Sequence, residues 1–417
     1  MAATAPHESG HSSRAAAPDR LLRWLFVLYA VSAVSVALQR TVLSRENNFL
    51  IFRAAFDHLA AGQDLYAAYP SLHTDFFKYS PTFAFLFAPF ALLPLVPGYV
   101  LWALTCALAV CFGMSRLLPS GQAALALALA WLAVVGDMQR AQSNALCAGL
   151  IILAWVAYER RKPWGAAFAI AAGVLIKLFP MAALAGAIFH PRKLRFAISF
   201  AVSIAIGVAI PLLLVSPESL ANQYHSWLAI EAHDTGPLTG IGSGGADLYA
   251  GLMGLFHVWG GVDWPSWPTQ LAGTVVLLAP LANGVRRRRG GRLFRLEFLA
   301  STLVFCVLFN HQAESPSYSI AMVGIAIWFA ASERAWWRTA LVVASIVIVN
   351  LGSTDLMPRG WYRTFYVPYL LKTVPLVPVW IAMQGELLGL IRNRGASQRS
   401  EIDQGEVSAS EPLADRA

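Results

Sequence analysis

The sequence predicts an all-α polytopic membrane protein, and three observations carry that prediction. The chain has 417 residues, 57% hydrophobic and only 13% charged, where soluble domains run near half apolar and a quarter charged. Its mean hydropathy is +0.56. Its apolar residues fall in successive runs long enough for helices, separated by short intervals that carry most of the arginines. The expected architecture is a bundle of about 10 to 12 transmembrane helices with short interfacial helices. The 14 tryptophans and 12 tyrosines suit belts at the two membrane surfaces. The net charge of +8 is accounted for by basic residues flanking apolar runs, so no nucleic acid is expected as a partner. Cys106, Cys111, Cys147 and Cys306 all lie inside apolar runs without metal-ligand spacing and read as packing residues.

Residues 1–20 are polar and rich in alanine and serine, with no evident cleavable signal, and are expected to be a disordered cytoplasmic segment. The membrane domain is expected over 21–391, beginning with a span at 21–38. Arg14, Arg20 and Arg23 place its start in the cytoplasm, and the interval 41–81 outside. That interval is more than a connector. Phe49, Phe52, Phe56 and Leu59 recur at helical spacing opposite Arg53, Asp57 and His58, which predicts an amphipathic helix at the membrane interface. Gly62 reads as its C-cap. A polar cluster follows, His73, Asp75, Lys78 and Tyr79, and Ser80-Pro81 opens the next helix. If this segment is helical, Asp75 and Tyr79 share a face.

Spans are then read at 82–95 and 99–117, split by Pro97-Gly98 as a turn, and at 123–135 and 145–158. The positive-inside rule leaves one crossing too many or too few between 81 and 144, so one segment there should not span. The run 166–189 has cytoplasmic signals at both ends and is broken by Lys177 and Pro180. It reads as a hairpin of two short helices with its turn at 177–180, a break tolerated only where it is packed in protein or lines a cavity. A span at 196–215 leads to a long polar and glycine-rich interval, 216–263, with an apolar patch near 248–256. Its G-I-G-S-G-G does not follow a strand in a βαβ unit and is not a nucleotide loop. Runs at 271–281, 298–309, 318–331, 337–351 and 367–390 complete the set. Arg286 to Arg289, Arg334 and Arg338 anchor cytoplasmic ends. The tail 392–417 is polar and expected to be disordered and cytoplasmic.

Ionisable residues inside apolar runs are costly and default to functional roles. Lys177 fits a phosphate ligand, with a solvated hairpin turn as the plain alternative. His311 and Glu314 share a short outside loop and suit a phosphate donor and an orienting or basic carboxylate, or else an ordinary polar turn. Gln142 and Asn144 suit sugar hydrogen bonds, with a helix N-cap at Asn144 as the alternative.

Taken in order, G-Q-D-L-Y, F-K-Y-S-P-T-F-A-F-L-F-A-P-F-A-L-L-P, Trp102, A-Q-S-N, K-L-F-P and N-H-Q-A-E-S resemble glycosyltransferase family 87 over roughly residues 20 to 390. The resemblance implies a GT-C membrane fold. It implies transfer of a hexose, mannose first, from a polyprenyl-phosphate donor to a lipid or glycan acceptor, with inversion. The site would face outward from the cytoplasmic (inner) membrane. The implied partners are that donor, that acceptor and membrane lipid, with no cofactor and no essential metal. The family's Lys-x-x-Pro falls on Lys177 and Pro180, its Gly-Gln-x-Asn on Ala141 to Asn144 with alanine for glycine, and its late histidine on His311. Its first-loop aspartate, the general base, falls on Asn48, an amide that accepts no proton usefully at neutral pH. The base is then expected at Asp75 first, Glu46 second or Glu314 third, with Asn48, Gln142 and Asn144 contacting sugar or acceptor. The donor phosphate would meet Lys177 and His311, with Lys78, Arg53 and Tyr79 nearby. A transporter or flippase of a lipid-linked sugar is the alternative; it would call for inverted repeats and paired broken helices, where the sequence offers one broken helix and no repeat.

Overall fold

The computed structural model describes residues 11–73, 75–233, 250–262, 264–287, 291–354 and 356–391. The glycine-rich G-I-G-S-G-G and the tail 392–417 lie outside them. Among the described residues every regular element is helical. Helices Ala17–Val42, Leu95–Leu117, Ser120–Gln139 and Lys193–Leu213 are long and apolar enough to cross a membrane. Five shorter apolar helices accompany them, at Asn144–Glu159, Pro163–Ile176, Phe179–Phe189, Ser315–Ala331 and Trp336–Leu351. The chain is an all-α polytopic membrane protein. Leu21, Trp24 and Val31 on the first helix, and Leu194, Ile198 and Ile206 on the last of the four long ones, are exposed, as bilayer contact requires.

Helix α1 (His11–Val42) starts ten residues earlier than the sequence suggests and carries Pro18 inside it. Residues 11–20 are therefore helical rather than disordered, in keeping with the alanine run at 15–17, since alanine is the best helix former. Helix α2 (Asn47–Ala60) buries Phe49, Phe52, Phe56 and Leu59, the stripe its periodicity predicts. That stripe is packed on protein. The Phe49 ring stacks on Tyr99 at 4.9 Å, and Phe52 meets Tyr79, Phe83 and Phe87 edge-on at 4.9, 5.1 and 5.3 Å. Such aromatic pairs add to plain burial. The helix ends in a Schellman turn: Gly62 N–H donates to Leu59 O, Gln63 N–H donates to His58 O, and Gly62 has φ +67°.

The segment expected to span at 82–95 does not. It is two short helices, α3 (Pro81–Leu86) and α4 (Ala88–Ala91). Pro89 and Pro94 each lack the N–H that a continuing helix would use. Pro97-Gly98 makes no turn either; both lie in the first turn of α5 (Leu95–Leu117), where early N–H groups have no intrahelical partner anyway. Gly98 is there for closeness, since a Cβ would sit 2.4 Å from Phe90 O. Helices α6 (Ser120–Gln139), α7 (Asn144–Glu159) and α8 (Pro163–Ile176) follow. Then comes the predicted break at Lys177 and a 3-10 segment, Phe179–Phe189.

Helix α9 (Lys193–Ala209) leads to α10 (Pro217–His233), an element lying in the interval read as polar loop. Its mostly polar sequence hides a narrow buried face, Leu220, Gln223 and Trp227. Helix α11 is Leu252–Gly260, α12 is Ser266–Arg287, α13 is Arg292–Leu308, α14 is Tyr318–Ala331 and α15 is Trp336–Ser345. The run 367–390 shortens to α17 (Leu376–Leu387), after α16 (Arg359–Trp361). Pro368 and Pro375 and a left-handed Leu370 with φ +50° break the preceding stretch. Helix α14 packs between α6 and α13, and α5 against α1 and α7.

Candidate active site

A cavity of about 1090 Å³ opens at the end of the bundle where α1 meets α2, α6 meets α7 and α13 meets α14. Its polar lining includes Glu46, Asn48, Asp75, Lys78, Tyr79, Gln142, Lys177, His311 and Glu314. Its apolar lining comes from the 3-10 segment (Phe179, Met181, Leu184), α12 (Leu277, Leu278) and α13 (Phe305). From Gln270, beside His311, to Leu278 is roughly 12 Å of helix at 1.5 Å per residue. The lining thus passes from polar to apolar away from the loops.

Lys177 stands at the start of that apolar lining. It is the residue after α8, and its N–H donates to Gly173 O at 2.9 Å, so its charge also complements the helix C-terminus. Its Nζ donates to Asn144 Oδ1 at 3.0 Å and Gln142 Oε1 at 3.3 Å, and lies 5.2 Å from the centre of the Tyr79 ring. The Tyr79 hydroxyl donates to the same Gln142 Oε1 at 2.8 Å. Burial pushes its pKa up to about 12, so the phenol stays protonated and keeps donating. Ser80 holds this loop to α8: its hydroxyl donates to Leu175 O and accepts from Phe83 N–H at the start of α3.

Behind Lys177 lies Asp137, fully buried. Its carboxylate accepts from Asn144 Nδ2 and from Ala145 N–H, both at 2.9 Å, and so caps the positive N-terminus of α7. Asn144 is spent on Asp137 and Lys177 and is not a lining residue; Gln142 is. The turn between them is a second Schellman turn. Ala141 N–H donates to Met138 O and Gln142 N–H to Asp137 O, with Ala141 at φ +50°. Trp102 Nε1 donates to Ala141 O at 2.8 Å, which fixes the turn against α5.

His311 faces Gln270, whose Nε2 lies 2.9 Å from its Nδ1; the neutral tautomer protonated on Nε2 would let Nδ1 accept from that amide. The three candidate bases differ in what occupies them. Asp75 is exposed and accepts from Phe76 N–H at 2.9 Å. Its segment is not helical, so it does not share a helical face with Tyr79; Pro70 and the hydrogen bonds of Tyr66 to Tyr79 O and Tyr69 to Asp64 O hold it as a loop. Glu314 accepts from Ser317 N–H in a capping box. Glu46 precedes α2 with a non-helical backbone (φ −94°, ψ 19°). Its Oε2 is buried with no hydrogen-bond partner among the described residues. Asn48 lines the cavity and donates from Nδ2 to Arg140 O at 2.8 Å.

Lys78 lines the cavity and Arg53 does not. Ile51 and Phe52 on α2 do line it, and Arg53, the next residue, stands about 100° further round the helix. Three arginines that sequence reasoning passed over, Arg40, Arg45 and Arg140, do line it. They look like ordinary flanking charges, and only the fold gathers them. Asp137 was also passed over, although a carboxylate ending an apolar run carries the signal that singles out Lys177. Helix α10 supports the loop from outside: Gln223 accepts from Leu65 N–H and donates to Gln63 O, and Trp227 donates to Lys78 O.

The cavity thus sits in a helical bundle of a membrane protein and is polar at the loops and apolar within. The sequence profile of glycosyltransferase family 87 matches residues 76–309, more than half the chain, and the protein belongs to that family and is a glycosyltransferase. A search of curated proteins finds no match.

Proposed function

We propose that the protein transfers a hexose, mannose first, from a polyprenyl-phosphate donor to a hydroxyl of a lipid or glycan acceptor at the outer face of the cytoplasmic membrane. The observation that carries this reading is Lys177, fixed by Asn144 and Gln142 where the cavity lining turns apolar. An amphipathic donor needs a cation at that junction. Its lipid would lie along the 3-10 segment, α12 and α13, and its phosphate at Lys177 and His311. The acceptor oxygen attacks C1 of the sugar, the C1–O bond to phosphate breaks, and the electron pair leaves on the phosphate. A single displacement of this kind inverts C1. Lys177 and the Nε2–H of His311 stabilise the charge that grows on the leaving group. Glu46 is the base that best suits the cavity, because its buried Oε2 is uncommitted while Asp75 and Glu314 each accept a backbone N–H. It takes the proton of the attacking hydroxyl.

The test is to incubate purified protein with radiolabelled polyprenyl-phosphate hexoses and a membrane extract and to look for a labelled product. Lys177→Met should lose transfer by about 3 kcal/mol of transition-state stabilisation. Glu46→Gln should lose roughly 10²–10⁴-fold in turnover at saturating donor, with Asp75→Asn and Glu314→Gln losing much less. Full transfer by Lys177→Met would sink the phosphate assignment, and near-normal turnover by Glu46→Gln would sink the base.

A further inference from the structure

Five cationic side chains line the cavity among the described residues: Arg40, Arg45, Lys78, Arg140 and Lys177. A sugar–phosphate–lipid diester carries one negative charge. On the reading above, that charge meets Lys177 where the lining turns apolar. The arginines belong to other elements: the end of α1, the turn into α2, and the end of α6. Arg40 and Arg45 are joined directly, and Arg140 is held from α2. Arg40 Nε donates to Arg45 O at 3.1 Å, and Asn48 Nδ2 donates to Arg140 O at 2.8 Å. Arg40 interacts electrostatically with Tyr99, Arg45, Arg140 and Glu46, whereas Lys177 interacts with Tyr79, Glu314, Cys147 and Asp137. The cavity therefore has two cationic groups with different neighbours. Three guanidiniums beside one carboxylate leave a positive excess, and guanidinium forks match phosphate and carboxylate oxygens.

We propose that Arg40, Arg45 and Arg140 form a second anion-binding subsite, and that the acceptor is an anionic glycolipid or glycan whose phosphate or carboxylate docks there. Docking sets the acceptor's hydroxyl beside Glu46, on the opposite side of the reacting carbon from Lys177. Asn48, where the family resemblance expects an acid, is then the residue that holds Arg140 in place. The proposal rests on the transferase reading, but its test needs no turnover.

Equilibrium binding to protein in phosphatidylcholine nanodiscs is measured with two labelled probes, hexyl glucoside and hexyl glucoside 6-phosphate. The wild type should prefer the phosphorylated probe by tenfold or more at low salt, and less as salt rises. Arg45 and Arg140 are exposed, so Arg45→Gln/Arg140→Gln should fold normally and lose the preference, while Lys177→Met keeps it. Equal binding of both probes by the wild type overturns the proposal. So does loss of the preference in Lys177→Met alone, which would place the anion in the donor site. Displacement of the probe by equimolar inorganic phosphate, or by phosphatidylglycerol added to the disc, as effective as by unlabelled probe, also overturns it, because the arginines would then hold free phosphate or bulk headgroups. Failure of the transferase reading would appear only in the product assay.

Discussion

At Gly62 and at Ala141 the chain leaves a helix by the same pair of hydrogen bonds, with φ +67° and +50°. A Cβ at Gly62 would meet nothing within 4 Å, so the glycine there serves backbone conformation alone. Ala141 holds the same conformation with a side chain, at a cost of about 1–2 kcal/mol, partly offset by the entropy that a glycine would lose on folding. Ala141→Gly should therefore stabilise the protein by roughly 0.5–1 kcal/mol, and Gly62→Ala should destabilise it by a similar amount, both read by thermal unfolding in detergent. The resemblance to a Gly-Gln-x-Asn motif flagged position 141. The strain was not legible, because an alanine in an apolar chain looks like any other until its φ is known.

The loop between α2 and α3 is held by stacking as well as by α10. His58 is buried on α2, its ring 3.7 Å from Tyr69 and nearly parallel to it. Burial, and then the neighbouring His73, lower its pKa below the usual histidine value. The folded state thus prefers the neutral ring more than the unfolded chain does. The stability present above about pH 6.5 is lost as pH falls through the folded value. Proteolysis of the 63–79 loop should be faster at pH 5 than at pH 7.5, and His58→Phe, which keeps the stack, should remove the difference. An unchanged pH dependence in that variant would assign it elsewhere. The helical stripe of α2 was legible from periodicity, but not what it packs on; periodicity gives a face, never a partner. The α10 helix was hidden for the opposite reason: three buried positions among polar ones fall below any pattern a loop could not also show.

At the scale of the whole molecule, a clamp fastens the last helices together. Arg338 and Glu386 are each 2% exposed; Arg338 Nε donates to Glu386 Oε1, and Trp328 Nε1 donates to Oε2, both at 2.8 Å. This joins α14, α15 and α17. Breaking such a pair from one side strands a buried charge, at a cost of about 3–5 kcal/mol. Glu386→Gln should lower thermal stability by most of that amount, and Arg338→Met/Glu386→Leu should recover much of it. If the double variant is as unstable as the single, the clamp works by packing and not by charge. Sequence reading assigned Arg338 to a cytoplasmic end, since a positive charge near an apolar run reads as an anchor until a buried partner is found. The break at Lys177 was legible for the converse reason: a lysine and a proline together inside an apolar run have no ordinary explanation. The α14 span matched its run from 318 to 331, because Pro316 and Ser332 bound it on both sides.

The cavity, at about 1090 Å³, is only slightly larger than a pocket for a drug-sized molecule, roughly 300–1,000 Å³. A polyprenyl chain is far too long to be enclosed there. On the proposed reading, the enzyme grips the head and first isoprene units, and the rest of the tail never leaves the bilayer. Donor and spent carrier then arrive and depart sideways, by diffusion within the plane of the membrane. The concentration that governs encounter is the mole fraction of donor among the surrounding lipids, and the volume of water around the membrane does not enter.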